Sequence, residues 1–432
     1  MMLLRSALLA ATLALTIAAA ADQPAYDSPP INYGKAIPAD PIASLQSRLA
    51  SGKATLAHDA QHGYLKALLE ALEIPASSQM LVFSKTSFQR HKINPRTPRA
   101  LYFNDDVYLG WVRGGEVVEV SSVDPQLGSV FYTLSQNPAP APRFVRQTDA
   151  CLQCHDSTGQ TLGVPGHIVR SVYPGEDGMP HFNLGTFRTN YRSPLAERWG
   201  GWYVTGDHGP MRHMGNVTYS DEADPDRKAS GEEGANVKDL SRLARIEAYL
   251  TDTSDIVALM VLEHQTLVHN LITRANHQTR IAVLQSDEIN KLSGTPGGPL
   301  TEGARSRIRA NAEPLVEALL FSDEAPLAGR VKGNSTFAAD FAKRGPFDAK
   351  GRSLRQFDLE KRMFRHPCSY LVHSKAFAGL PAAAREYVSN RLRDILLGRD
   401  AGKEYAHLSA ADRSAILEIL RGTMPEFTAG WK

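Results

Sequence analysis

Apolar positions along this chain follow one period in its first third and another in its last half. Short runs rich in Val, Leu, Tyr and Phe fall at residues 80–83, 100–103, 107–112, 116–120 and 130–134. Asn104-Asp105-Asp106 and Arg113-Gly114-Gly115 interrupt them with the residue types that tight turns need. These runs predict a small, mostly antiparallel sheet. Ahead of them, residues 57–73 carry helical spacing and predict an amphipathic helix, whereas 22–41, with Pro24, Pro29, Pro30, Pro38 and Pro41, read as loop. From about residue 237 the spacing is helical, at 254–286, 304–321, 382–397 and 410–420, with Pro381 suited to a helix start. The stretch between is rich in Gly, Pro, His and aromatic residues and has few long periodic segments. The expected fold class is therefore α+β. It comprises an N-terminal α+β region at 22–137, a loop-rich cofactor-wrapping region at 138–236 and a mostly α-helical C-terminal domain at 237–432.

Residues 1–21 stand apart from this pattern. Arg5 supplies a positive start, 7–17 form an apolar run, and Ala19-Ala20-Ala21 offer a small-residue cleavage site. That arrangement predicts a secretory signal and an exported, periplasmic protein. No later segment is expected to have the length of a membrane helix. The formal net charge of +2 is too small to point to nucleic acid or to a membrane surface.

The strongest chemical signal is Cys151-Leu152-Gln153-Cys154-His155, a Cys-x-x-Cys-His attachment sequence for c-type haem. Two thiols must reach the two vinyl groups of one porphyrin, and the next residue must offer an imidazole to the iron. Zinc sites usually take four ligands, and only Cys368 remains, far away in sequence. A thioredoxin-like motif wants a strand before it, where this chain has Pro138-Ala139-Pro140-Ala141-Pro142. One copy of the motif implies one covalent haem c, held by Cys151 and Cys154, with His155 as the proximal iron ligand. Cys368 reads as a buried free thiol.

The sixth iron ligand separates an electron carrier from a haem enzyme. The loop running from Gly206 to Asn216 offers His208, Met211, His213 and Met214, of which His213 is the favoured ligand and Met214 its rival. Met179 and His181 form a thinner alternative. Arg212 beside His213 supplies the kind of cation that polarises a peroxide bond. On the helix predicted from residue 254, Ile256, Leu259, Met260, Leu267 and Leu271 share one face. Glu263 falls in the middle of that face, Asn270 lies nearly in line with it and His264 sits at its edge. His269 points about 140° away from His264, so a regular helix does not let the two share one metal ion. A carboxylate on an apolar face needs a partner or shifts its pKa upward, which makes Glu263 and His264 acid–base candidates beside Arg212. His58 and His62, four apart on a predicted helix, have metal-binding spacing but lack a third ligand. Trp111, Trp199 and Trp202 read as core residues.

The five-residue motif resembles that of c-type cytochromes. The segments Arg198-Trp199-Gly200-Gly201-Trp202-Tyr203-Val204-Thr205-Gly206 and Arg212-His213-Met214-Gly215-Asn216 resemble those of large bacterial cytochrome c domain-containing proteins, and the likeness extends to Glu263-His264-Gln265 and to residues 366–371. The resemblance implies haem attachment at Cys151 and Cys154 with iron ligation by His155. The expectation is a periplasmic monohaem electron-transfer protein, working with a redox partner protein or a small-molecule electron donor or acceptor. The alternative is a haem-dependent oxidoreductase such as a peroxidase.

Overall fold

The computed structural model describes residues 24–220 and 233–431, so the expected signal at 1–21 and residues 221–232 of the region expected at 138–236 lie outside the described residues. Six strands form one sheet in chain order: β1 (Met80–Val82), β2 (Arg99–Phe103), β3 (Val107–Trp111), β4 (Val117–Asp124), β5 (Gly128–Ser135) and β6 (Phe144–Gln147). Every neighbouring pair is antiparallel. Local chemistry sets the reversals. Asn104 accepts the backbone N–H groups of Asp106 and Val107 through its side chain, and Asp124 does the same for Gln126 and Leu127. Strand β6 follows the Pro-rich run and was not among the expected strands.

One helix forms where none was expected, and one expected helix is shorter. Helix α1 (Pro41–Ala50) starts at a proline read as loop; Asp40 caps it by accepting N–H groups from Ile42 and Ala43 at 2.7 and 2.9 Å, and Pro41 takes a first-turn position where no N–H is missed. Helix α2 is short (Leu65–Ala71) rather than spanning 57–73. Asp59 turns the chain by accepting from Gln61 and His62, and Gly63, at φ +61°, takes a conformation that a continuing helix excludes. His58 and His62 are therefore not on a helix: His58 Nε2 meets the Gln136 carbonyl, and His62 is buried against Trp111.

One-turn helices α3 (Leu152–His155) and α4 (Thr158–Thr161) and a two-stranded ribbon of β7 (Arg170–Val172) and β8 (Thr186–Arg188) follow the sheet. The rest is helical: α5 (Ile256–Leu292), α6 (Glu302–Leu319), α7 (Phe337–Ala342), α8 (Lys375–Ala378), α9 (Ala382–Leu396) and α10 (Ala410–Thr423). The α+β class expected from the sequence is the one observed.

One face of the sheet, including Leu81, Tyr102, Leu109, Trp111 and Val120, packs with α1 and α2. From the other face, Met80, Val82, Phe103 and Val123 join a larger core built around α5 and α6. The expectation that no later segment has the length of a membrane helix does not hold for α5. Its 37 residues qualify by length and composition, but 94% of its most apolar window is buried inside the protein. It is the central core helix of this fold, and it packs with the sheet and reaches the His167 segment through Asn270.

Candidate cofactor-attachment site

Cys151 opens the single turn of α3, whose His155 N–H donates to the Cys151 carbonyl at 2.9 Å. In a helical turn, positions i, i+3 and i+4 share one side, so Cys151, Cys154 and His155 are presented together. Both thiols are free; Cys151 is half-buried and Cys154 exposed. Burial, with the nearby Glu119 carboxylate, pushes the Cys151 thiol up to about 11, so it stays protonated at neutral pH.

The His155 ring is oriented by its Nδ1, which meets the carbonyl of Gly166 at 2.8 Å. A carbonyl only accepts, so Nδ1 carries the proton and Nε2 keeps its lone pair. Burial lowers the pKa of this imidazole and keeps it neutral. This is the state an iron ligand needs, with the second ring nitrogen anchored by a backbone carbonyl. The ring rests on Phe131 at 4.7 Å between centroids, and Tyr26 donates to Asp156, the next residue, at 2.5 Å.

Gly166 and His167 are fixed from two directions. Asn270 on α5 accepts the His167 N–H and donates to the His167 carbonyl, each at 2.8 Å. From the sheet, the hydroxyls of Ser121 and Ser129 meet the two ring nitrogens of His167 at 2.8 and 3.1 Å. Tyr108 and Phe131 share that sheet face by register and lie against the same ring.

The loop expected to supply a sixth ligand has partners of its own. His213 is buried against His208 and Trp199, and its partners include none of the residues that hold His155. Its Nδ1 accepts the Gly215 N–H at 3.0 Å, which puts the neutral ring's proton on Nε2, the nitrogen an iron would use. Burial takes its pKa down to about 3. His208 is constrained in the same way: its Nε2 accepts the Asn236 N–H. The Met214 sulfur receives the Ser171 hydroxyl at 3.5 Å, and Met211 packs on the core. Met179 is exposed, and His181 Nε2 meets the Tyr219 carbonyl.

The acid–base candidates also have internal partners. Glu263 and Arg198 form a buried ion pair at 2.9 Å, and Arg198 also donates to the carbonyls of Tyr191 and Ser193. Burial pushes the Glu263 carboxyl up, against the pull of Arg198. Thr189 and Trp199 face the same carboxylate, though neither closes a hydrogen bond of normal geometry. His264 stacks on Phe321 at 4.2 Å and shares a hydrogen bond with Ser369, while His269, on the opposite side of α5, bonds Tyr108. Arg212 donates to the carbonyls of Pro210 and Met211. Trp202 donates to the Arg170 carbonyl, and Cys368 is a buried thiol pushed up to about 12.

The roles of Gly166, His167 and Phe131 had no sequence signal. Asn270 had a partial one, as a polar residue on the buried stripe of a helix. No family model matches the chain, and no curated protein or solved structure matches it.

Proposed function

We propose that this protein is an exported monohaem c-type cytochrome that passes single electrons between partners. Cys151 and Cys154 would hold one haem covalently, each S–H adding across one vinyl group of the incoming haem to give haem c, and His155 Nε2 would bind the iron. The bound group supplies a one-electron couple; the chain supplies attachment, orientation and burial. The observation that carries this reading is the hydrogen bond from His155 Nδ1 to the Gly166 carbonyl, one turn from two free thiols. It selects the tautomer that ligates through Nε2, the arrangement metal-bound histidines adopt. Electron carriage is favoured over peroxide chemistry because Glu263, His264 and Arg212 all engage internal partners. The redox partner is a protein or a small-molecule electron donor or acceptor.

The test is an absorption spectrum of the purified protein, oxidised and reduced, with and without carbon monoxide. Electron carriage predicts a low-spin, six-coordinate haem that ignores carbon monoxide. A reduced spectrum that shifts on adding the gas would overturn that reading and favour a haem-dependent oxidoreductase.

A further inference from the structure

We propose that Asn270 is a positioning residue for the iron-binding imidazole, acting on His155 through the backbone of Gly166 and His167. The inference rests on the haem reading above and adds to it the device that sets the axial ligand.

Four observations form a continuous chain. Asn270 is buried on α5, the central helix of the larger core, and both ends of its amide engage one backbone residue. An acceptor spent on the His167 N–H holds the peptide that carries the Gly166 carbonyl, and a donor spent on the His167 carbonyl holds the next one, so both peptides flanking His167 are fixed in orientation. Gly166, immediately before it, lies so close that an added Cβ would stand 2.4 Å from Asn270 Oδ1. Its φ is not in the left-handed region, so glycine is required here for space and not for backbone freedom. The same Gly166 grips His155 twice, through its carbonyl on Nδ1 at 2.8 Å and through its N–H on the His155 carbonyl at 2.9 Å. The His167 side chain is tied separately to Ser121 and Ser129. The Gly166 carbonyl is thus suspended between the sheet and α5, and Asn270 supplies the α5 attachment.

The consequence is chemical. A carbonyl held on Nδ1–H makes the opposite nitrogen a stronger donor and stabilises the ferric state. Removing Asn270 leaves the carbonyl held from the sheet alone. The midpoint potential should rise, and acid should release the imidazole from iron more easily. Loss of an outer-shell partner typically weakens a metal ligand about 10- to 100-fold, so the pH of acid release should move up by about one to two.

The experiment compares the full-length haem-loaded protein with Asn270→Ala and Asn270→Asp. Alanine removes both bonds; aspartate keeps the acceptor for the His167 N–H but cannot donate to the carbonyl. Covalent haem content should be unchanged in both. The potential and the acid-release pH should rise in Asn270→Ala and rise less in Asn270→Asp. Gly166→Ala attacks the same contact from the other side and should behave like Asn270→Ala, which keeps the test alive where one variant fails to fold. A second readout needs no haem: ring-nitrogen shifts of His155 in the haem-free full-length chain should show Nδ1 protonated in the wild type and mixed tautomers in Asn270→Ala. Wild type with haem attached but unchanged potential and acid release in the variants overturns the role of Asn270 alone. A haem-free wild type with the proton on Nε2 also overturns it. A wild-type chain that attaches no haem removes the haem reading and this role together.

Discussion

Two histidines illustrate how a single hydrogen bond decides what a side chain can do. His155 gives its Nδ1 proton to a carbonyl and keeps Nε2 available. His213 receives a backbone N–H on Nδ1 and so carries its proton on Nε2, which would have to be given up before ligation. Both sit in loop-rich sequence; the Cys-x-x-Cys pair ahead of His155 marks it out, but nothing in the residue types shows which ring nitrogen either one leaves free. Burial has a second effect at this scale. It holds His213, His264 and His277 neutral, each with its pKa taken down to about 3, and His269 to about 4. In the unfolded chain these rings take up protons below pH 6.5, while the folded protein does not. Their contribution is therefore intact above pH 6.5 and is lost as pH falls toward 4. Each histidine adds a slope approaching about 1.4 kcal/mol per pH unit in that window. Urea unfolding at pH 7, 6, 5 and 4 should show falling stability, with a shallower fall in His264→Gln. Equal stability at all four values would contradict the neutral buried rings.

At the scale of elements, alternation and helical spacing were readable wherever an element buries one face against a core. The five expected strands all form, because Val, Tyr and Phe on alternate positions pack on one side or the other of the sheet. Helix α1 escaped notice because Pro41 was read as a breaker, although a proline in the first turn behind an aspartate cap starts a helix. Helix α5 outruns its expected end and stops at Leu292, its last turns exposed. The Cys-x-x-Cys-His motif is legible because residue type and spacing alone define it. The support behind it was not: Asn270 meets His167 across 103 residues, and its targets are backbone atoms that carry no sequence signature. Helix α5 also provides an element-level prediction. Asp255 caps it, accepting from Val257 at 2.8 Å with one oxygen and from the Ser335 N–H and hydroxyl with the other. Asp255→Ala should cost about 1–2 kcal/mol or more in a chemical denaturation curve, since the cap and a tertiary tie go together. An unchanged midpoint would show that the N-terminus of α5 does not depend on that carboxylate.

Across the whole molecule, the Cys-x-x-Cys-His motif is a small, partly exposed turn set on a large framework. The sheet contributes Phe131, Ser121 and Ser129, the N-terminal segment contributes Tyr26, and α5 contributes Asn270. The α5 core also takes in Trp199 and Trp202 from the middle region and Met80 and Val82 from the sheet, so the middle region and the sheet share one packed body. This framework holds one imidazole and its supporting carbonyl in a fixed relation to two thiols. The most direct test is the intact mass and alkaline pyridine spectrum of the protein made in cells equipped for haem attachment, beside Cys151→Ala/Cys154→Ala. Covalent attachment at these two thiols predicts a mass higher by one haem and a c-type spectrum for the wild type, and neither for the double variant. A wild-type chain with two free thiols and no haem, or haem that survives acid-acetone extraction in the double variant, would contradict it.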